Sequence, residues 1–78
     1  MAEYVWIKTA EQVHELVMRY GITVLEVGIF GDDIGFTTRD KVFDKPDFFR
    51  DFVVDGIERL DDGRLHRVFI YPGTRIPA

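Results

Sequence analysis

The stretch from Ile22 to Thr38, ITVLEVGIF-GD-DIGFTT, limits what this chain can fold into more than any other. Two alternating apolar runs flank Gly31-Asp32. A two-residue loop with glycine first suits a type II′ turn, because glycine alone takes the required positive φ without strain. With that loop as the turn, the register follows. Ile29 faces Ile34, Val27 faces Phe36 and Leu25 faces Thr38. One face of the ribbon is then almost wholly apolar. The other carries Glu26 opposite Thr37 and Gly28 opposite Gly35. A slip of one residue would mix the two faces, so the pattern itself supports the register.

The flanking chain supplies the partners for that apolar face. Tyr4 to Lys8 reads as a short strand with Val5 and Ile7 on one side and Tyr4, Trp6 and Lys8 on the other. Thr9-Ala10-Glu11-Gln12 matches a capping box, in which the Thr9 hydroxyl accepts from the Gln12 amide and the Gln12 side chain reaches back. Val13, Leu16, Val17 and Tyr20 then form one stripe of an amphipathic helix that Gly21 stops. Beyond the hairpin, Pro46 predicts the first position of a second helix, with Phe49, Phe52 and Val53 as its inner stripe. Two ends fit this helix. It stops at Asp55 with Gly56 as its C-terminal glycine, and Ile57 to Leu60 pair with the last strand through Asp61-Asp62-Gly63. Alternatively, the stripe runs on through Ile57 and Leu60 to Gly63, at a cost of about 1 kcal/mol for the internal glycine. Arg64 to Tyr71 reads as the final strand, with His66, Val68 and Ile70 on one side and Leu65, Arg67, Phe69 and Tyr71 on the other.

The element order is thus β-α-β-β-α-β, with room for one extra short strand. It predicts a single α+β domain over residues 1–78, a two-layer sandwich with two helices on one face of an antiparallel sheet. The ferredoxin-like plait is the commonest form of that order, and a β-grasp-like arrangement is the alternative.

Composition removes several function classes. The chain has no cysteine, and therefore no disulfide, thiolate nucleophile or sulfur-ligated metal. It has no serine and no asparagine, which excludes a serine nucleophile and N-glycosylation. His14 and His66, the only histidines, lie on different elements without metal-ligand spacing. Asp32-Asp33 and Asp61-Asp62 sit beside glycines, where aspartate serves turns. No phosphate loop or calcium loop is present. The expectation is a non-enzyme without cofactor or metal. No apolar run approaches the length of a membrane span, and no signal-peptide pattern opens the chain, so a cytoplasmic location is expected.

Two surfaces remain as candidate partner sites. Seven acids stand against three bases between Asp44 and Asp62, and Asp47, Asp51 and Asp55 repeat at helical spacing as one acidic stripe. The second surface is the sheet face away from the helices. Tyr4, Trp6, Phe30, Phe69 and Tyr71 should project there, with Gly28 and Gly35 as a bare spot where a partner group could approach the backbone. The alternative is that the tail from Thr74 to Ala78, with Ile76 and Pro77, folds over this face. The net charge of −4 counts against phosphate binding, and Gly35-Phe36-Thr37-Thr38 lacks the basic and aromatic spacing of an RNA-recognition strand. The expected function is a small protein-interaction module. It would occupy a protein partner or form a homodimer through the aromatic face, as phage and mobile-element antagonists of the anti-CRISPR kind do. A nucleic-acid-binding sheet platform and a small-ligand enzyme or sensor are the competing classes.

Overall fold

The computed structural model describes residues 3–78. It is an α+β fold with two helices and two antiparallel sheets. In chain order the elements are β1 (Tyr4–Trp6), α1 (Ala10–Met18), β2 (Glu26–Phe30), β3 (Asp33–Thr38), α2 (Pro46–Asp51), β4 (Val54–Leu60), β5 (Leu65–Ile70) and β6 (Arg75–Pro77). Single 3-10 turns at Val42–Asp44 and Asp61–Gly63 join their neighbours.

The hairpin has the expected register, Glu26 with Thr37, Val27 with Phe36, Gly28 with Gly35 and Ile29 with Ile34. Gly31 takes φ +60 and Asp32 does not take a positive φ, as a type II′ turn requires. The hairpin continues into a four-stranded sheet of order β2-β3-β5-β4. β5 lies against both β3 and β4, so Ile34, Phe36 and Thr38 line up with Ile70, Val68 and His66 on one face. That face is the floor of the core: Ile34, Phe36, Val68 and Ile70 are buried.

The roof comes from three sources. α1 contributes Val13, Leu16 and Val17. Its capping box forms as read, with Gln12 N–H donating to Thr9 Oγ1 at 3.2 Å and Thr9 N–H donating to Gln12 Oε1 at 3.0 Å. α2 contributes Phe48, continued by Phe52 just past its end. The third source is a separate two-stranded ribbon in which β1 pairs only with β6, Val5 opposite Ile76. Ile76 is buried in the same core, and Ile7, just after β1, joins it.

Three expectations change here. The first strand is not part of the main sheet, so the strand order is neither that of a ferredoxin-like plait nor that of a β-grasp. A three-residue strand whose inner side offers only Val5 is completed by the chain's last strand instead. The second helix ends at Asp51, before either anticipated stop, and Phe52 is already extended at φ −100, ψ 139. The paired valines Val53-Val54 explain this, because branched side chains favour a pleated strand over a helix. The extra strand is therefore seven residues long and joins β5 through Asp61-Asp62-Gly63, closing at Leu60 opposite Leu65. Finally, the buried ring of α2 is Phe48. Phe49 is half-buried and Val53 is exposed.

Candidate functional site

The residues expected on one aromatic face fall into two places, with the core between them. On the outer face of the main sheet, Gly28, Gly35, Phe69 and Gly56 form one cross-strand row. Phe30 lies over that row. A Cβ on Gly35 would come within 2.7 Å of the Phe30 ring and 3.3 Å of Phe69, so only glycine admits the ring there. Phe30 and Phe69 meet edge to face at 5.6 Å. The Arg67 guanidinium lies 4.7 Å from the centre of the Phe30 ring, and its Nη1 donates to Glu58 Oε1 at 3.3 Å. The expected bare spot at Gly28 and Gly35 is thus filled by the chain's own Phe30. A shallow cleft of about 60 Å³ lies beside it.

Tyr4 and Trp6 stand elsewhere, on the outward face of the β1–β6 ribbon. Both project away from Val5 and Ile76, and they are 50% and 53% exposed. Arg75 pairs with Trp6 across the ribbon. Its guanidinium lies 4.4 Å from the centre of the Tyr4 ring and 5.7 Å from that of Trp6. The ribbon is anchored at both ends. Ile7 N–H donates to Thr74 O at 2.7 Å, Ala78 N–H to Glu3 O at 3.0 Å, and the Gln12 side chain donates to Trp6 O at 3.1 Å. The C-terminal segment therefore neither trails free nor folds over Phe30 and Phe69. Tyr71, just past β5, is exposed and belongs to neither group. Its N–H donates to Val53 O at 2.9 Å.

The acidic stripe does not exist as a surface. Asp47 is exposed and paired with Arg50 at 3.3 Å. Asp51, only 10% exposed, accepts from the Tyr20 hydroxyl at 2.7 Å and from Arg50 Nε at 3.0 Å. Those two donors hold its pKa below the usual carboxylate range, while burial and the Asp51 bond push Tyr20 up to about 12. Asp55 lies on β4, where the register shifts between Val54 and Gly56. A hydrogen bond between the Asp33 and Asp55 carboxyls raises the Asp33 pKa, with burial and the charges of Asp55 and Asp32 acting in the same direction.

One opening was not visible in the sequence. A cleft of about 420 Å³ lies between the end of α1 and the start of α2, with Arg19, Tyr20, Lys45, Asp47, Phe48 and Arg50 among its walls. Its charges are mixed, and its residues are scattered over more than thirty positions of chain, so no local motif announces it. Among the described residues no group of three or more His, Asp or Glu is gathered as for a metal ion. No helix among the described residues is long and apolar enough to cross a membrane. No family model matches this chain, and neither does any curated protein or solved structure.

Proposed function

We propose that this chain is a non-catalytic protein-interaction module that acts by occupying a protein partner through the outward face of its terminal ribbon. The observation that carries the reading is the pair of half-exposed rings, Tyr4 and Trp6, bridged by Arg75. Core filling does not explain them, since the inward residues Val5 and Ile76 already serve the core. Tyr, Trp and Arg are the side chains that dominate binding energy at protein interfaces. Here they stand on a paired ribbon fastened to α1, so little ordering remains to be done on binding. Surface occupation is the mode of small antagonists, and it requires no catalytic group.

A photo-crosslinking residue placed at position 6 in the native host tests this. It should yield a discrete protein adduct, while the same probe at Glu15, on the exposed side of α1, should not. Adducts to nucleic acid would favour the sheet-platform class instead. Equal labelling from both positions would remove the ribbon as the site.

A further inference from the structure

The two edges of the main sheet are built differently. β4, one edge, is blunted in the ways that edge strands usually are: its register shifts between Val54 and Gly56, and it carries Asp55, Glu58 and Arg59. β2, the other edge, has none of these devices. Its sequence is Glu26-Val27-Gly28-Ile29-Phe30, without proline, lysine or arginine and with a single charge at one end. Ile29 is 65% exposed, and Leu25 just before the strand is 45% exposed. An open apolar edge of this kind is a template for pairing with another strand.

The hydrogen-bonding pattern says how. In a two-residue hairpin the closing residues Phe30 and Asp33 exchange both bonds, and bonded pairs then alternate along the ladder. Phe30, Gly28 and Glu26 therefore bond to β3, while Val27 and Ile29 turn their N–H and C=O groups outward. No described residue bonds to those groups. Leu25 N–H is already taken by Thr37 O at 2.8 Å, so the open edge ends there.

From these facts we infer that β2 is a self-pairing edge, joining β2 of a second copy antiparallel about a two-fold axis through Gly28. In that register Val27 of each copy exchanges both backbone bonds with Ile29 of the other, so all the outward groups of the strand are used. Glu26 falls beside Phe30 of the second copy and no like charges meet. The exposed Ile29 side chain gains Val27 of the second copy as a neighbour on the core side of a continuous eight-stranded sheet. A second copy fits better than an unrelated strand because the pattern is its own complement about Gly28. The surface is short, so the dimer belongs to the transient class of interfaces.

The absence of cysteine makes the test clean. At a two-fold axis the facing Gly28 residues form a non-hydrogen-bonded pair with Cα atoms about 4.5 Å apart, within reach of a disulfide. A Cβ at Gly28 meets only the Phe30 ring at 3.6 Å, so Gly28→Cys should fold. Under mild oxidation it should form a linked dimer, whereas Gly56→Cys, on the opposite edge, should remain single. In sedimentation the unmodified chain should associate with rising concentration. Ile29→Lys should weaken that association by at least about tenfold, with unchanged circular dichroism. Equal linking of the two cysteine variants overturns the proposal, as does a chain that stays monomeric. Association that survives Ile29→Lys but is lost in Trp6→Ala also overturns it, by moving self-pairing to the ribbon.

Discussion

The outer face of the sheet and the outward face of the ribbon use the same parts, two aromatic rings and one arginine, yet they are in different physical states. Phe30 and Phe69 are seated against each other over a row of glycines, and the Arg67 guanidinium lies over the Phe30 ring. Tyr4 and Trp6 have no such seat, and Arg75 bridges them in the open. The difference comes from what lies beneath each pair. Gly28, Gly35 and Gly56 give the sheet a flat floor on which a ring can lie, whereas the ribbon is two strands wide and its floor is already used by Val5 and Ile76. An exposed aromatic is therefore informative about binding only after the surface around it is known.

Substitutions should separate the two groups. Phe69→Ala removes the centre of the outer cluster. It should cost about 2–3 kcal/mol in a urea titration, below the roughly 3–5 kcal/mol of a fully enclosed phenylalanine. Gly35→Ala should come next, at about 1–2 kcal/mol, because its Cβ displaces the Phe30 ring from its seat. The cost should vanish in a Phe30→Ala background, since nothing then occupies that space. If it persists there, the ring is not what Gly35 accommodates. Trp6→Ala should lie within about 1 kcal/mol of the parent, since only a half-exposed ring and an open cation–π contact are lost. A loss like that of Phe69→Ala would make Trp6 structural and weaken the ribbon as a binding site.

Much of the fold was legible, and the parts that were not share a cause. The hairpin register over Glu26–Phe30, the capping box and the phase of β5 depend on neighbours within a few residues, and those readings match the structure. Leu25, expected opposite Thr38, instead donates its N–H to Thr37 O and is exposed. The partner of β1 depends on the far end of the chain, and nothing local in Tyr4-Val5-Trp6 distinguishes a place in the main sheet from a ribbon with Arg75–Pro77. The helix phase failed on Phe48-Phe49, two adjacent rings about 100° apart on a helix, either of which can begin a stripe. A stripe of Phe49, Phe52 and Val53 requires Val53 to be helical, and it is not. The acidic stripe failed with the helix: once α2 stops at Asp51, Asp55 belongs to β4 and no longer shares a helix face with Asp47. Strand alternation correctly placed Phe30 and Phe69 on one face, but alternation cannot say that Phe30 fills the gap at Gly35.

The smallest effect expected is electrostatic, and it concerns the end of the outer face that the ribbon has no counterpart for. There the Asp33 pKa is raised, first by hydrogen bonding to the Asp55 carboxyl, then by burial and by the charges of Asp55 and Asp32. A carboxyl whose folded pKa lies above its unfolded value contributes stability below the unfolded pKa and loses it as pH rises through the folded one. The Asp33–Asp55 contact therefore favours the fold in acid and opposes it at neutral pH. Asp51 works the other way: its lowered pKa contributes stability above the unfolded value, lost as pH falls through the folded one. Asp33→Asn should consequently raise the melting temperature at pH 7, because an amide can donate to Asp55 without the repulsion. The gain should shrink as the pH falls into the carboxylate range, where the parent acquires its own proton. A gain that is equal at both pH values would mean that the benefit of the amide is not relief of charge, and that the two carboxyls do not share a proton across β5.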